Sequence, residues 1–281
     1  MTSATIEQRV KGMPAQDGAG VKLTRVIGQP LLRHFDPFLM LDEFGSESAE
    51  DYLPGFPPHP HRGFQTVTYM LNGSMRHRDS VGNEGVISSG GIQWMNAGKG
   101  IIHEEMPEQQ NGLLRGFQLW VNLPASQKMS APDYQDIASE EVPTGHWDNG
   151  VSWRQLSGEL EGVCGPVQPF GHNEMPLFSD FTASTDVSAL SIPLHGTFRY
   201  FMYVYEGQLE ITGQTVGKGE LVTLNTAEQL DVKSIVSGTK WILVGGKPLK
   251  EPIVQYGPFV MNTEAEIQQA LLDYQNNRLT Q

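Results

Sequence analysis

Short runs rich in β-branched and aromatic residues dominate the sequence from about residue 21 to residue 245. Gly, Pro, Asn or Asp bounds each run, which is typical of short strands joined by turns. No alternation of strands with helices supports a parallel α/β sheet. The pattern therefore predicts an all-β sandwich or barrel, and it is clearest at residues 64–71, 116–123, 197–205 and 241–244.

The clearest helix pattern lies near the C-terminus. Thr263 and Glu266 have the spacing of a capping box, in which each side chain satisfies a free backbone N–H at the start of a helix. The apolar residues after them recur on one helical face, at Ile267, Ala270, Leu271 and Tyr274. We expect a helix that packs against a barrel, and a helix that recruits a partner is the alternative.

Composition excludes several classes of protein. With 19 Lys and Arg against 32 Asp and Glu the net charge is −13, which argues against direct nucleic-acid binding because that needs basic residues to neutralise phosphates. No apolar run is long enough to span a membrane, and the N-terminus lacks the apolar core of a secretory signal. We expect a cytoplasmic protein whose single cysteine, Cys164, is a buried thiol.

Length and a weak internal repeat indicate two domains. A chain of 281 residues has room for two, and the polar segment at residues 125–148 is typical of a connection. The Tyr-x3-Gly pattern that begins at Tyr69 recurs at Tyr203, and His61 and His195 lie eight residues before them. We therefore predict similar β domains at residues 1–137 and 138–281.

Two short motifs indicate a metal site: His-Pro-His at residues 59–61 and His-Glu-Glu at residues 103–105. On a β-strand, residues i and i+2 point to the same face, so each motif presents two ligands together. Imidazole and carboxylate suit Fe, Mn, Ni, Cu or Zn, and four such ligands leave two octahedral positions open for substrate and O₂. Histidines without any metal are the alternative to a four-ligand site of His59, His61, His103 and Glu105.

Four longer segments carry a family resemblance: GFPPHPHRGFQTVTYML from residue 55, GSMRHRD from residue 73, GGIQWMNAGKGIIHEEMP from residue 90 and GPFVMNTEAEIQQALLDYQ from residue 257. They resemble the pirin family of the cupin superfamily, over nearly the whole chain. The resemblance implies two double-stranded β-helix (jelly-roll) barrels with a short C-terminal helix. It also implies one divalent metal in the N-terminal barrel, usually Fe(II), with Ni, Cu, Mn, Co and Zn as alternatives. The family's ligand positions fall on His59, His61, His103 and Glu105.

One position departs from the general cupin pattern. Gln65 stands where cupins, and often pirins, have a glutamate that is not a ligand in pirins. Metal binding should survive, while the amide alters the charge of the site and could accept a hydrogen bond from a ligand imidazole. We interpret His77 as structural or exposed, and Phe64 and Trp94 as core residues.

The second half of the chain lacks the matching ligands. Aligning the repeat places Pro193 at the position of His59 and His195 at that of His61, while Asp231 and Lys233 replace His103 and Glu105. A lysine in place of a carboxylate repels a cation. We therefore predict that the C-terminal barrel binds no metal.

The resemblance implies a metal-dependent oxidoreductase similar to quercetin 2,3-dioxygenase. Its substrates would be O₂ and a small aromatic, either a flavonol or another enolisable compound. The metal would lower the pKa of the substrate hydroxyl, and Glu105 would be the catalytic base. The family also implies an alternative, a metal-dependent regulatory protein that binds a transcription factor or a metabolic enzyme. A cupin isomerase or decarboxylase is a third candidate.

Overall fold

A computed structural model describes residues 2–170 and 175–281 of the chain. Strands make up 55% of the protein, and the last of its secondary-structure elements is an α-helix. The predicted all-β class with a C-terminal helix is therefore confirmed. The described helices are too short or too polar to span a lipid bilayer.

The described part of the first half, from residue 2 onward, forms twelve strands and three single-turn 3-10 helices. The 3-10 helices are Ala49–Asp51, Ala125–Gln127 and Ser139–Glu141. The strands are β1 (Ile6–Lys11), β2 (Met13–Asp17), β3 (Val21–Ile27), β4 (Phe38–Ser46), β5 (Phe56–His61), β6 (Phe64–Asn72), β7 (Ser74–Asp79), β8 (Glu84–Ser88), β9 (Ile92–Asn96), β10 (Ile101–Pro107), β11 (Leu114–Asn122) and β12 (Asp133–Ile137).

The second half also consists mainly of short strands and ends in the helix. Its elements are β13 (Thr144–His146), β14 (Val151–Ser157), β15 (Glu159–Leu160), β16 (Val163–Cys164), β17 (Leu177–Ala183), β18 (Val187–Pro193), β19 (Arg199–Glu206), β20 (Gln208–Ile211), β21 (Gln214–Gly217), β22 (Glu220–Leu224), β23 (Gln229–Ile235), β24 (Lys240–Gly246), β25 (Val254–Tyr256), β26 (Phe259–Met261) and α1 (Glu264–Gln275).

The chain forms two compact units that exchange their terminal segments. The histidine unit consists of Met13–Ser139 and Leu249–Gln281, and the second unit consists of the residues up to Gly12 with Glu140–Pro248. The simple division at residue 137 predicted from the sequence differs from this grouping for two reasons. Strand β1 pairs with β22 of the second unit, and α1 packs on β25 and β26, which belong to the histidine unit.

Both units have the same sheet plan. The histidine unit has a seven-stranded sheet of order β12-β9-β6-β11-β4-β3-β2 and a four-stranded sheet of order β5-β10-β7-β8. The second unit repeats this plan with β1-β22-β19-β24-β17-β14-β13 and β18-β23-β20-β21. Tyr69 lies on β6 and Tyr203 on β19, which hold corresponding places in the two larger sheets. The internal repeat in the sequence therefore corresponds to a structural repeat.

Large apolar side chains fill the interior of the second unit. Phe181 and Trp241 stack with ring centroids 5.0 Å apart, and they belong to a continuous buried cluster. The cluster includes Leu230 and Val232 of β23. The alignment that placed Asp231 in the position of His103 is wrong about its direction, because Asp231 lies on the opposite face of the strand and its carboxylate accepts hydrogen bonds from Ser3 and Gln229. Lys233, two residues on, is exposed.

The C-terminal helix begins as the sequence predicts. Thr263 is its N-cap, and both hydrogen bonds of the capping box with Glu266 are present. Ile267 and Ala270 are buried against a cluster that includes Phe259. This confirms the prediction of a helix that packs against a barrel.

Two buried cations hold the C-terminal segment against the turn that follows His61. Arg62 donates hydrogen bonds to the carbonyl of Lys99 and, over 2.8 Å, to Asp273 of α1. Lys128 is 1% exposed, and its Nζ donates to the carbonyl oxygens of Gly63 and Val260 and to the side-chain oxygen of Asn122. Burial lowers the pKa of Lys128 to about 8.

Gly63 makes this close approach of the C-terminal segment sterically feasible. Its φ is +88°, a backbone conformation that favours glycine. A Cβ at this position would lie 2.0 Å from the carbonyl oxygen of Val260. The glycine therefore lets β26 lie directly beside the turn that ends β5.

Cys164 is exposed on the short β15–β16 hairpin. The prediction of a buried thiol is therefore wrong. The hairpin consists of two-residue strands, which leave this side chain on the surface rather than in the aromatic interior of the second unit.

The substitution Lys128→Met should destabilise the protein by at least about 2 kcal/mol, because three buried oxygen acceptors lose their donor. Chemical denaturation monitored by fluorescence measures this change. Lys240→Met, at an exposed lysine, is the control and should change stability by less than about 0.5 kcal/mol. Equal stability of the two variants would contradict a role for Lys128 in holding the C-terminal segment.

Candidate metal centre

Antiparallel pairing of β5 with β10 brings the two histidine motifs together. His103 lies directly opposite His59, and Ile101 lies opposite His61. The ring centroids of His59 and His103 are 4.5 Å apart, and those of His61 and His103 are 4.9 Å apart. One potential ligand atom from each of the three histidines lies within 4.8 Å of the others. The two motifs therefore converge as the alternation of side chains along a strand predicts.

A β-bulge on β5 orients His59. The register between β5 and β10 shifts beyond His103, where Pro57 and Pro58 interrupt the ladder. Proline has no backbone N–H to donate, so it is tolerated at such an irregularity. Nδ1 of His59 lies 2.9 Å from the carbonyl oxygen of Pro57. If this nitrogen carries the proton and donates it, Nε2 is left as the metal-binding atom.

The other two histidines are neutral and have unused ring nitrogens. Burial lowers the pKa of both His61 and His103 well below 6.5, and the neighbouring His59 lowers it further. Among the residues that the structure describes, both ring nitrogens of His103 and Nδ1 of His61 have no hydrogen-bond partner. An unpaired buried nitrogen is costly, and metal ions bind neutral imidazole. The three histidines therefore fit a metal ion.

Aromatic packing holds the ring of His61 in place. Phe64 and Trp120 contact it edge-on, with ring centroids 5.1 and 5.3 Å away. The next residue, Arg62, is fixed by Asp273, whose pKa it lowers through their hydrogen bond. The position of His61 thus depends on both the barrel and the C-terminal helix.

Glu105 is close to the histidines but has its own partners. It is 4% exposed, and it lies outside the group of converging ligand atoms among the described residues. Its Oε1 is 3.0 Å from the hydroxyl of Thr68, which in turn lies 2.6 Å from the side-chain oxygen of Gln118. Its Oε2 is 3.4 Å from the amide nitrogen of Gln118.

The Thr68 hydroxyl can serve either protonation state of Glu105. A hydroxyl has one proton to donate and can also accept. Thr68 can donate to an ionised Glu105, or accept from a protonated Glu105 while it donates to Gln118. This arrangement suits a carboxylate that takes up and releases a proton.

A large cavity opens beside these residues. Its volume is about 1020 Å³, and His59, His61 and Glu105 form part of its wall. The rest of the wall includes apolar side chains such as Trp120 and Phe44 together with the polar residues Gln118, Asp42 and Arg25. A cavity of this size and mixed polarity is typical of a site for a small organic molecule.

The structure corrects one interpretation of a nearby residue, narrows a second to its structural alternative and confirms a third. Gln65 accepts a hydrogen bond from Nε1 of Trp94 at 3.0 Å, so its oxygen is engaged with the core rather than with a ligand imidazole. His77 is buried and lies 3.0 Å from Asp136, which excludes an exposed position. Phe64 and Trp94 are fully buried, as predicted for core residues.

Several residues of the site have no signal in the sequence. Lys128 and Asp273 lie far along the chain from the histidines they support, and neither belongs to a recognisable motif. Asp42 and Arg25 lie in ordinary strand patterns. The pairing of these side chains across strands is a property of the fold, and only the register reveals it.

Comparisons with known proteins agree with this geometry. Residues 20–121 match the family model described as Pirin, and residues 179–280 match the Pirin C-terminal cupin domain. A pirin-like protein from Caulobacter vibrioides is 47% identical over 270 residues, covering 96% of each chain. The crystal structure named quercetin 2,3-dioxygenase from Acinetobacter baumannii is 29% identical and superposes with a TM-score of 0.89, covering 99% of this chain and 98% of that one.

A more distant structure has the same fold. It is the bacterial pirin YhhW from Escherichia coli in complex with nickel(II), which is 18% identical with a TM-score of 0.65 and covers 86% of this chain and 99% of its own. The two repeated units and the histidine cluster define a bicupin with a candidate metal centre in one unit. The chain belongs to the pirin family, and its likeness to the quercetin dioxygenase supports an oxidoreductase.

The substitution His103→Ala should reduce bound metal at least tenfold, because it removes one of three converging ligands. Elemental analysis after reconstitution and gel filtration measures the change, and the unsubstituted protein should hold one metal per chain. His146→Ala, at an exposed histidine of the second unit, should keep the full content. Metal retained by the His103 variant would contradict the assigned centre, and two metals per chain would contradict the prediction of a metal-free second barrel.

Proposed function

We propose that this protein is a metal-dependent dioxygenase that cleaves quercetin or a related flavonol with O₂. The observation that carries the proposal is the convergence of three histidines beside one cavity of about 1020 Å³, with His59, His61 and Glu105 on its wall. Metal ligands, a candidate base and space for an aromatic substrate lie side by side. The name of the Acinetobacter baumannii structure supports this choice of substrate class.

His59, His61 and His103 would hold the metal, and Glu105 is proposed as a fourth ligand. The proposed metal is iron, and nickel, copper, manganese, cobalt and zinc share the same ligand preferences. Nickel is the metal named for the related bacterial pirin. When bound, a redox-active metal supplies Lewis acidity toward the substrate hydroxyl and a path for electrons between substrate and O₂.

Glu105 is proposed to accept the proton of the flavonol 3-hydroxyl. Its carboxylate lies on the cavity wall, where a substrate hydroxyl can reach it. Thr68 then changes from donor to acceptor toward Glu105, and its hydroxyl donates a hydrogen bond to the side-chain oxygen of Gln118. Glu105 thereby keeps a hydrogen bond with Thr68 both before and after the proton transfer.

Apolar residues beside the histidines would keep water from the reacting carbon atoms. Trp120 packs on Phe64 with ring centroids 4.3 Å apart, and both rings contact His61. A dry wall at this point strengthens the electrostatic interactions of the site. It also offers an aromatic surface for a planar substrate.

The regulatory alternative stays a prediction of the family resemblance. In this alternative, the protein would act in the cytoplasm and would bind a transcription factor or a metabolic enzyme in a metal-dependent way. A pull-down from native extract with metal-loaded and metal-free protein tests it separately from catalysis.

Metal-loaded protein should consume quercetin only when O₂ is present, and Glu105→Gln should lower the rate per bound metal by about 10²–10⁴-fold. Loss of flavonol absorbance and O₂ uptake, measured in parallel, check both statements. Turnover without O₂ would reject the dioxygenase. Full activity of Glu105→Gln would reject the base.

Glu104→Gln is the matched control for this variant. Glu104 is the preceding residue on β10 and faces away, toward Arg76 at 3.6 Å. The control loses the same charge from the same strand, so its rate should stay within about twofold. A loss equal to that of Glu105→Gln would point to disruption of β10 rather than to proton transfer.

A further inference from the structure

A row of polar side chains leads from Glu105 across the floor of the cavity. Thr68 on β6 lies opposite Gln118 on β11, Gln118 lies opposite Asp42 on β4, and Asp42 lies opposite Arg25 on β3. Directly opposed residues of antiparallel strands share a face of the sheet. Because neighbouring strands lie about 4.8 Å apart, the row extends roughly 14 Å from Thr68 to Arg25. Gln118, Asp42 and Arg25 all line the cavity.

Apolar side chains flank this row on both sides. On one side of the polar row, two residues further along the strands, Trp120 lies opposite Met40. On the other side, also two residues away, Phe44 lies opposite Leu23. All four line the same cavity. The floor is thus a polar stripe between two apolar bands, which suits a flat, elongated aromatic molecule with polar substituents at its ends.

The distal part of the stripe is a buried ion pair. Nε of Arg25 donates to Oδ1 of Asp42 over 2.9 Å, and Nη2 donates to Oδ2 over 2.7 Å. The Asp42 side chain is 2% exposed. A carboxylate has about four acceptor positions, so this two-point contact leaves acceptor capacity on a rigidly held group. The ion pair therefore presents oxygen atoms to the cavity in a defined position.

The charges around this ion pair determine which kind of ligand group can bind to it. Nη2 of Arg25 also contacts Asp17 at 2.8 Å, so one guanidinium serves two carboxylates. Burial raises the pKa of Asp42 to about 6, so it is still mostly ionised at neutral pH. The Asp42 carboxylate would repel an anionic group placed against it, whereas a neutral hydroxyl group could donate a charge-assisted hydrogen bond to it.

We propose that Asp42, positioned by Arg25, is a specificity-determining residue that binds a hydroxyl group at the end of the substrate remote from Glu105. The inference rests on the proposed function, and it narrows the substrate class to aromatics with hydroxyls at both the reacting and the remote end. An aromatic that carries only the reacting hydroxyl would bind the apolar bands and lose the remote contact.

Equilibrium binding to metal-loaded protein without O₂ tests the subsite apart from turnover. The probes are quercetin, 3-hydroxyflavone, which keeps only the reacting hydroxyl, and quercetin methylated on every hydroxyl except the 3-hydroxyl. Quercetin should bind at least tenfold more tightly than either of the others, because a hydrogen bond to a buried charged group is lost in both. Fluorescence quenching gives the three dissociation constants.

The variant Asp42→Asn should weaken quercetin binding about tenfold and leave 3-hydroxyflavone within twofold. Glu43→Gln is the matched control. Glu43 is the next residue on β4, lies on the opposite face and pairs with Arg115 at 2.6 Å. The substitution Glu43→Gln removes a comparable Arg–carboxylate pair outside the cavity, so this variant should bind both flavonols as the unsubstituted protein does.

The outcomes separate the two proposals. If the protein turns over flavonols with O₂ but binds the three probes equally, the subsite is rejected and the dioxygenase stands. If the probes are discriminated and Asp42→Asn abolishes the difference without any O₂-dependent turnover, the subsite stands and the dioxygenase is rejected. An equal loss in Glu43→Gln, or tighter binding of a flavonol bearing a remote carboxylate, also overturns the subsite. Should Asp42→Asn fail to fold, the three probes still decide with the unsubstituted protein.

Discussion

The antiparallel register between β5 and β10 is the constraint on which the candidate site depends. It places His103 opposite His59, and the two-residue period of a strand turns His61 toward the same point. A shift of one residue would send the imidazoles to the other face. Much of the surrounding structure maintains this register, including the bulge at Pro57 and the cations Arg62 and Lys128, which hold the turn after β5.

The sequence predicts the histidines of the site well and their supports poorly. His59, His61 and His103 lie in motifs whose spacing alone makes them converge, and the capping box of Thr263 is equally local. Lys128 contacts Val260 across 132 residues, a pairing that no local pattern encodes. Alignment of the repeat also misplaced Asp231, since an error of one position exchanges the inside of a barrel for its outside.

The two units show how one fold plan accommodates different interiors. Corresponding strands of the four-stranded sheets carry histidines in one unit and Leu230 and Val232 in the other. In the second unit the aromatic stack of Phe181 and Trp241 belongs to a continuous buried cluster, whereas a cavity opens beside the histidines of the other unit. In the histidine unit, ion pairs on the floor of this cavity and between Arg62 and the C-terminal helix add polar contacts to the apolar clusters.

The histidine unit is built from two separate segments of the chain, and this determines when its folding can be completed during synthesis. Translation proceeds from the N-terminus, so residues 140–248, which build the second unit, leave the ribosome before Leu249–Gln281. Until that last segment arrives, Arg62 lacks Asp273 and Lys128 lacks the carbonyl of Val260. The nascent chain therefore carries its histidine motifs in a barrel whose wall stays unfinished until Leu249–Gln281 is synthesised, and the candidate metal centre gains these supports only then.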